Sequence, residues 1–181
     1  MKTAMPSIPS MPDKKIHVCA KEDEKEGVDA FMKVRYLTDS DIPGAAGIEA
    51  VCFSEPWSEK ALSDTLHSAY GVLLCTDPDG DGTEKELLSG YAGMYVTGDD
   101  ADVTNVAVLP EYRRRGIGRA LVEALCAEAR ARGARLLHLE VRASNSPALA
   151  LYEASGFVRD GVRRNFYRKP AEDAVLMTKT L

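Results

Sequence analysis

Hydrophobic and polar positions change their spacing repeatedly between residue 32 and the C-terminus. Residues 32–37, MKVRYL, alternate at period two, which is typical of a strand. Further along, apolar residues recur every three or four positions in some stretches, which favours helices, and alternate in others, which favours strands. We predict helices over residues 42–53, 58–67 and 116–132, and strands over residues 70–75, 87–97, 102–109, 135–142, 157–164 and 174–181.

The clearest of these patterns is an amphipathic helix that ends at Gly133. Its apolar face consists of Ile117, Leu121, Leu125 and Ala129. A shorter helix is capped by Ser144 or Asn145 and ends before Gly156. Because strands and helices alternate, with the longest helix between two strands, we predict an α/β or α+β domain built on a sheet.

The first 31 residues follow neither pattern. They contain three prolines and the charged run KEDEKE at residues 21–26. Such a segment offers too little apolar surface to fold by itself, so residues 1–31 are predicted to be a flexible extension. A length of 181 residues suits one domain, which we place at residues 32–181.

Composition and charge narrow the classes of partner. Hydrophobic residues make up 45% of the chain and charged residues 28%, as in ordinary globular proteins. The 23 basic and 28 acidic residues give a net charge of −5, which argues against nucleic acid as a partner. No apolar run reaches the roughly 18 residues that a membrane span needs, and no secretory signal is recognisable. We therefore expect a cytoplasmic protein that binds neither nucleic acid nor membrane.

Metal binding is not expected either. The motif DPDGDG at residues 77–82 resembles the start of a calcium loop, but Leu88 stands where that loop needs a bidentate Glu. We interpret the motif as a solvated turn. The wide spacing of the four cysteines predicts free thiols rather than a zinc site or a disulfide framework. They are Cys19, Cys52, Cys75 and Cys126.

Residues 106–119, VAVLPEYRRRGIGR, combine the end of a strand, a basic loop and two glycines at the start of a helix. Successive backbone N–H groups at such a helix N-terminus, together with arginines, form an anion site that suits a diphosphate. A side chain at Gly116 or Gly118 would hold phosphates away from those amides. The pattern matches neither a Walker A loop nor a dinucleotide fingerprint. A tight turn with solvated arginines is the alternative interpretation.

The strand predicted over residues 135–142 places three polar side chains, His138, Glu140 and Arg142, on one face. A buried sheet face does not normally carry three polar residues, so we expect a cleft there. Tyr152 follows the predicted helix start by two turns and can project toward the same end of the strand. From spacing alone, a salt bridge to an arginine also explains Glu140, and a place in the core also explains Tyr152.

Several segments together resemble known acetyltransferases. The R-x-x-G-x-G sequence starting at Arg113, preceded by V-x-V-x-P from residue 106, resembles the acetyl-CoA signature of the GNAT superfamily of N-acyltransferases. The resemblance covers residues 32–181 and implies the GNAT fold, a mixed and mostly antiparallel sheet flanked by helices. Four further segments resemble RimI-type ribosomal-protein alanine N-acetyltransferases. They are FSEPWSEK at residues 53–60, LEVRASN at 139–145, ALYEASGF at 150–157 and RRNFY at 163–167, where Phe166 replaces a tyrosine of the family.

The resemblance implies a reaction in which a peptide α-amine attacks the thioester of the co-substrate acetyl-CoA, without a metal. It assigns Glu140 as the base and Tyr152 as the acid that protonates the departing thiolate. An α-amine has a reference pKa of about 7.7 to 8.0, against about 10.4 for lysine, so a modest base suffices. The implied partner is the N-terminal alanine of the eighteenth small-subunit ribosomal protein. His138, on the same strand face, is a rival base.

The resemblance also implies which residues bind the two substrates. Backbone amides of Val106, Ala107 and Val108 would hold the pantetheine arm as an added strand. Asn145 would contact CoA. The pyrophosphate would be held by Arg113, Arg114, Arg115, Gly116, Ile117, Gly118 and Arg119. The peptide groove would be lined by Pro56, Trp57, Arg163, Asn165 and Tyr167.

Two other functions are compatible with the residues: an acetyltransferase for small amines, and an acyl-CoA-binding module without activity. The Pro56 and Trp57 loop and residues 163–167 argue against the first, and the joint presence of Glu140 and Tyr152 argues against the second. Ribosomal proteins are generally basic, so we also expect acidic residues near the groove to attract the substrate. Those residues are Glu49, Glu55, Glu59 and Asp64.

Overall fold

The computed structural model describes residues 33–78 and 88–181, which form a seven-stranded sheet with helices against both faces. The strands are β1 Val34–Tyr36, β2 Gly71–Thr76, β3 Gly90–Thr97, β4 Asp100–Val108, β5 Leu136–Arg142, β6 Val158–Arg168 and β7 Ala171–Thr180. The helices are α1 Ile42–Cys52, α2 Glu59–Leu66, α3 Ile117–Ala131 and α4 Ser146–Ala154. The strand order across the sheet is β1-β2-β3-β4-β5-β7-β6.

Neighbouring strands in the described sheet are antiparallel except β4 and β5, which run parallel. This confirms the mixed, mostly antiparallel sheet and the predicted order of helices and strands. The boundaries differ most in the closing hairpin, where β6 continues to Arg168, beyond the predicted end at residue 164. Residues 164–166 form an irregularity between Arg163 and Tyr167, so no period-two pattern exists there to indicate a strand.

Two hydrophobic clusters form the core, one on each face of the sheet. The larger cluster packs α3 against the sheet, and Leu121 and Leu125 are fully buried in it, as their four-residue spacing predicts. The smaller cluster packs α1 and α2 against the opposite face through Ile48 and Leu62. Burial of one large aliphatic side chain contributes about 1.5 to 3 kcal/mol. These helices are therefore held in place by their apolar faces.

Strand β5 alternates as predicted. Its residues Leu137, Leu139 and Val141 are buried in the larger cluster. The residues between them, Glu140 among them, and the last residue Arg142 are half-buried on the other face. The polar face of β5 is therefore available to line a cleft. That cleft lies between β5 and the neighbouring strand β4.

Strands β4 and β5 pair over three residues only, Asp100–Asp102 against Leu136–His138, and then separate. From Val103 onward, therefore, neither strand supplies the other with backbone partners. The separation opens a gap in the middle of the sheet, between residues 103–106 of β4 and residues 139–142 of β5.

A bulge in β4 lies directly beside this gap. Gly93 of β3 pairs with Asn105, whereas the next residue, Met94, pairs with Val103, so Thr104 is an extra residue in β4. A Cβ on Gly93 would come within 2.8 Å of the Thr104 hydroxyl oxygen, so the glycine leaves room for the bulge. The bulge turns successive β4 side chains toward the gap.

Some predictions concern residues outside the described ranges. These are the extension at residues 1–31, Cys19, and most of the turn at residues 77–82. The described cysteines, Cys52, Cys75 and Cys126, have free thiols. Across residues 33–78 and 88–181, no helix is long and apolar enough to cross a membrane. The same ranges contain no cluster of three or more His, Cys, Asp or Glu side chains placed to hold a metal ion.

Candidate active site

A cavity of about 340 Å³ fills the gap between β4 and β5. Its walls are residues 103–106 of β4, residues 139–142 of β5 and the loop that follows α1. The start and middle of α4 and one aromatic side chain of β6 close the remaining side. Six of the residues predicted to act in catalysis or to bind CoA or peptide lie in this lining: Trp57, Val106, Glu140, Asn145, Tyr152 and Tyr167.

Glu140 faces this cavity from β5, and its carboxylate forms an ion pair with Arg163 of β6. Arg163 Nη1 lies 3.0 Å from Glu140 Oε1, and the two side chains are 54% and 32% exposed, respectively. The Arg163 guanidinium also lies 5.1 Å from the ring centroid of Phe166. Both interpretations of Glu140 therefore apply: it lines the cavity, and it forms a salt bridge with an arginine.

Tyr152 projects from α4 into the cavity lining while most of its ring is in the core. Asn145 caps this helix by accepting a hydrogen bond from the Ala148 N–H, at 3.3 Å, and Tyr152 lies two turns later. The Tyr152 ring meets Phe157 edge to face at a centroid distance of 5.7 Å. Burial raises the pKa of the Tyr152 hydroxyl above its ordinary value of 10.0, so the group stays protonated at neutral pH.

Arg142 joins the end of β5 to the turn between β6 and β7. Its guanidinium lies 4.1 Å from the ring centroid of Tyr167, pairs with Glu172 at 3.3 Å and donates to the Lys169 carbonyl at 2.8 Å. Hydrogen bonds from Ser144 and the pairing with Arg142 hold the pKa of the Glu172 carboxyl below its ordinary value. Sequence reasoning had no signal for these contacts, since the partners lie 27 or more residues apart.

Tyr167 is fixed from its other end as well. Its hydroxyl donates to the backbone carbonyl of Glu140 at 3.2 Å. Burial raises the pKa of this phenol above its ordinary value, so it remains a hydrogen-bond donor at neutral pH. Tyr167 therefore ties β6 to the backbone beside the Glu140 carboxylate.

Glu49 contradicts the expectation that it attracts a basic substrate, because its side chain is completely buried. Its carboxylate accepts hydrogen bonds from the Tyr91 hydroxyl, from Asn105 Nδ2 at 2.7 Å and from the Trp57 backbone N–H at 2.7 Å. The sequence does contain a signal for this burial. Glu49 follows Ile48 on the apolar face of α1, where the helix packs on the sheet.

The basic loop before α3 has the geometry of an anion site. Gly116 caps the helix at φ +83°, in the left-handed region where a side chain is strained, although nothing lies within 4 Å of where its Cβ would be. Arg114 also adopts a left-handed conformation, at φ +63°, and is exposed. The first-turn N–H groups of α3, including those of Ile117 and Gly118, lack carbonyl partners within the helix. A Cβ on Gly118 would come within 3.2 Å of Leu151 of α4, so its small size also serves helix packing.

The other arginines of this loop make contacts within the protein. Arg113 donates to the Val108 carbonyl at 3.0 Å and lies 3.7 Å from the Cys52 sulfur. Arg115 stacks over Tyr112 at 5.3 Å, and Arg119 pairs with Glu123 at 2.8 Å. Arg114 is therefore the arginine of the loop that these contacts leave most accessible to an anion.

The direction of the backbone groups at the end of β4 decides which of Val106, Ala107 and Val108 could pair with an added strand. The Leu109 N–H donates to the Ser89 carbonyl of the chain entering β3. Because backbone groups of antiparallel strands alternate, Val106 and Val108 then face the gap, whereas Ala107 faces β3. Ala107 is also buried in the smaller core cluster. Ala107 thus does not offer the backbone contact expected of it.

Three further predicted residues lie outside the cavity lining. Pro56 is exposed beside Trp57. Asn165 adopts φ +53° within the β6 irregularity, and its N–H donates to Asp173 Oδ1 at 2.8 Å, so its visible role is conformational. His138, the rival base, contacts Thr178 Oγ1 at 2.8 Å and is not among the residues of the cavity wall.

Comparison with known proteins gives the family. The model described as the acetyltransferase (GNAT) family matches residues 43–157. The ribosomal protein bS18-alanine N-acetyltransferase of Escherichia coli is 39% identical over 143 residues, which cover 78% of this chain and 92% of that protein. The N-alpha-acetyltransferase RimI of Mycobacterium tuberculosis is 36% identical over 149 residues, with 79% and 89% covered, respectively.

A solved structure agrees with these relatives. The crystal structure of the Escherichia coli ribosomal-protein alanine N-acetyltransferase matches with a TM-score of 0.72 at 36% identity, covering 82% of this chain and 93% of that chain. The chain therefore belongs to the GNAT family of acetyltransferases and, within it, to the RimI-type ribosomal-protein alanine N-acetyltransferases.

Proposed function

We propose that this acetyltransferase transfers the acetyl group of acetyl-CoA to the α-amine of the N-terminal alanine of the eighteenth small-subunit ribosomal protein. The Escherichia coli relative, at 39% identity, is named for this activity, and the Mycobacterium tuberculosis relative, at 36% identity, is named as an N-alpha-acetyltransferase. The observation that carries the proposal is that one cavity, between β4 and β5, is lined by both Glu140 and Tyr152, which come from different elements. The loop containing Trp57 and the aromatic side chain of Tyr167 give this cavity a wall suited to a peptide end.

The gap and the α3 loop fit the two ends of acetyl-CoA. The first-turn N–H groups of α3 and the exposed Arg114 suit the pyrophosphate. The backbone groups of Val106 and the N–H of Val108 suit an extended arm that adds to the β4 edge. Asn145, at the cap of α4, lies in the cavity lining. Bound there, acetyl-CoA supplies an electrophilic thioester carbonyl and a thiolate leaving group.

Glu140 acts as the base in this mechanism. It accepts a proton from the substrate α-amine, directly or through water, and the low basicity of an α-amine relative to lysine keeps that transfer easy. Arg163 occupies the carboxylate in the structure described here. We infer that the positively charged N-terminus of the peptide replaces the Arg163 guanidinium, whose side chain is 54% exposed.

Tyr152 acts as the acid. Because burial raises the pKa of its hydroxyl above the ordinary value of 10.0, the phenol still carries its proton when the departing thiolate forms. The phenol then donates its proton to the departing sulfur, so that amide formation releases CoA as a thiol. The edge-to-face contact with Phe157 holds the ring of Tyr152 in one orientation for this transfer.

The proposal is tested by incubating the purified protein with acetyl-CoA and defined acceptors, and locating the label by mass spectrometry. The acceptors are a peptide that begins with the alanine of the ribosomal protein, the same peptide with a blocked N-terminus and an internal lysine, and a set of small primary amines. We expect the label on the free α-amine alone. Label confined to lysine side chains or to small amines would refute the assignment.

A further inference from the structure

A buried carboxylate connects four parts of the protein below the candidate active site. Glu49 of α1 accepts hydrogen bonds from Tyr91 of β3, Asn105 of the β4 bulge and Trp57 of the loop after α1. Two of these partners, Asn105 and Trp57, line the cavity, whereas Glu49 and Tyr91 do not. Glu49 therefore contacts the cavity only through its partners.

The carboxylate decides how the Asn105 amide is oriented. The NH₂ group of Asn105 donates to Glu49 Oε1 at 2.7 Å, and this hydrogen bond fixes which end of the amide faces Glu49. The carbonyl oxygen Oδ1 consequently points away from Glu49. Without Glu49, either end of the amide could face the cavity, because the two ends are similar in size.

Asn105 Oδ1 is buried and has no hydrogen-bond partner among residues 33–78 and 88–181. A buried acceptor without a partner is rare in proteins and calls for an explanation, such as a ligand that supplies the donor. Asn105 lies in the β4 bulge, and bulges are often found beside active sites, where they redirect a side chain. Asn105 lines the same cavity as Glu140, in which the peptide end would lie, and its Oδ1 atom exposes less than 1 Å² of surface.

We propose that Asn105 Oδ1, oriented by Glu49, binds an N–H donor at the N-terminus of the peptide substrate. The donor is either the α-amine itself or the first peptide N–H, which share the same chemistry. Asn105 is then a substrate-binding residue, and Glu49 is a positioning residue that acts through it. This inference depends on the proposed peptide acetyltransferase activity and adds a specificity determinant to it.

The experiment compares Asn105→Ala and Glu49→Gln with the wild-type protein in steady-state acetylation of the N-terminal alanine peptide. Asn105→Ala removes the acceptor. In Glu49→Gln, the side-chain oxygen of the glutamine is needed to accept from the Trp57 N–H, so the glutamine NH₂ group faces Asn105. The Asn105 amide must then turn its oxygen toward that NH₂ group, which presents the Asn105 NH₂ group to the cavity instead of Oδ1. We expect both variants to lower kcat/KM for the peptide about tenfold, with the KM for acetyl-CoA unchanged.

Tyr91→Phe is the matched control. It removes a different donor from the same buried carboxylate and leaves the bond between Glu49 and Asn105 in place. We expect it to lower the melting temperature to a similar extent as Glu49→Gln while changing peptide kcat/KM by less than about threefold. Equal kinetic losses in Glu49→Gln and Tyr91→Phe would mean that the network has only a structural role, and would overturn the inference.

A second substrate assigns the donor. A peptide whose first amide is replaced by an ester lacks the first peptide N–H. If wild-type protein acetylates the ester peptide more slowly than the amide peptide, and Asn105→Ala acetylates both at the same rate, the first peptide N–H is the donor. If the ester lowers the rate equally in both proteins, the α-amine is the donor. Normal peptide kinetics in Asn105→Ala, or a changed KM for acetyl-CoA instead, refutes the inference, whereas an inactive wild-type protein refutes the proposed function.

Discussion

The candidate active site has two walls, which extend beyond the lining of the cavity itself and offer different kinds of chemical groups. The backbone wall, residues 106–119, presents N–H and C=O groups of β4 and α3 whose directions are set by local conformation, as at Gly116. The side-chain wall, made of β5 with Arg163, Tyr167 and the turn between β6 and β7, presents ionised and aromatic side chains held by distant partners. We infer that the backbone wall tolerates side-chain substitutions as long as the backbone keeps its conformation. The side-chain wall, in contrast, loses its geometry when any one of the interacting side chains is replaced.

The largest effect that this comparison predicts comes from the two proposed catalytic side chains. Glu140→Gln and Tyr152→Phe remove a proton acceptor and a proton donor while nearly preserving shape. We expect each to lower kcat about a hundredfold or more, the usual contribution of a general acid or base. Steady-state kinetics with the alanine peptide give this value, and calorimetric titration gives the acetyl-CoA affinity, which should stay within about twofold of wild type. A parallel loss of acetyl-CoA binding would show that both residues serve the backbone wall instead.

The same contrast explains how much could be predicted from the sequence. Periodicity places α3 and β5 correctly because each pattern lies within one element, and the two glycines at the start of α3, Gly116 and Gly118, mark the backbone wall. The ion pair of Glu140 with Arg163 links residues 23 positions apart in a strand whose irregular end has no period. Only the folded arrangement of β5, β7 and β6 brings these residues together, so spacing left the partner of Glu140 open.

Glu49 and Ala107 show a second limit of prediction. A glutamate in a helix suggests a solvent-exposed charge, but burial depends on which helix face meets the sheet and on three donors that lie 8 to 56 residues away. Ala107 shares a motif with its neighbours, yet strand alternation turns its backbone toward β3. Motif membership therefore identified the backbone wall, and only the pairing of β4 with β3 identifies which of its residues face the gap.

A second prediction tests whether conformation alone sets the backbone wall. Gly116→Ala places a side chain at φ +83°, where it is strained by about 1–2 kcal/mol, so the loop should leave that conformation and turn its N–H groups away from the anion. We expect the dissociation constant of acetyl-CoA to rise about tenfold, measured by calorimetric titration. Peptide KM should change little.

Gly133→Ala is the control for this prediction. Gly133 lies at the opposite end of α3 with φ +92°, and, as at Gly116, nothing lies within 4 Å of its Cβ position. Both substitutions should lower the melting temperature to a similar extent, but only Gly116→Ala should weaken acetyl-CoA binding. If both variants bind acetyl-CoA equally well, the conformation of Gly116 does not shape the binding site.

A third prediction concerns the pH dependence of the side-chain wall. The pKa of Glu172 is lower in the folded protein than its ordinary value of 4.5, so its ionised form stabilises the fold. That contribution is complete above about pH 4.5 and is lost as the pH falls through the lower, folded-state pKa. We expect Glu172→Gln to lower the melting temperature near neutral pH, with the difference from wild type shrinking below about pH 4.5.

Thermal unfolding by circular dichroism between about pH 3 and pH 7 measures this difference. Glu153→Gln is the matched control, because it removes the same charge from an exposed ion pair with Arg159 at the start of the same hairpin. Such pairs contribute little to stability, so its effect should be small throughout. A difference between Glu172→Gln and wild type that stays constant down to about pH 3 would mean that the carboxylate charge does not secure the turn.

The smallest predicted effect separates surface charge from the specific contacts of the side-chain wall. With Glu49 buried and Asp64 paired with Lys60 at 2.7 Å, the exposed Glu55 and Glu59 are the acidic residues of the predicted set that remain to attract a basic peptide. The double variant Glu55→Gln/Glu59→Gln should raise KM for a lysine- and arginine-rich alanine peptide about twofold at low salt. The effect is small because water screens exposed charges well.

The effect should disappear in about 0.5 M salt, where the Debye length is only a few ångströms, and should be absent for a neutral alanine peptide. A KM increase that persists in high salt would instead mean that Glu55, which lines the cavity, contacts the peptide directly and belongs with the side chains of β5.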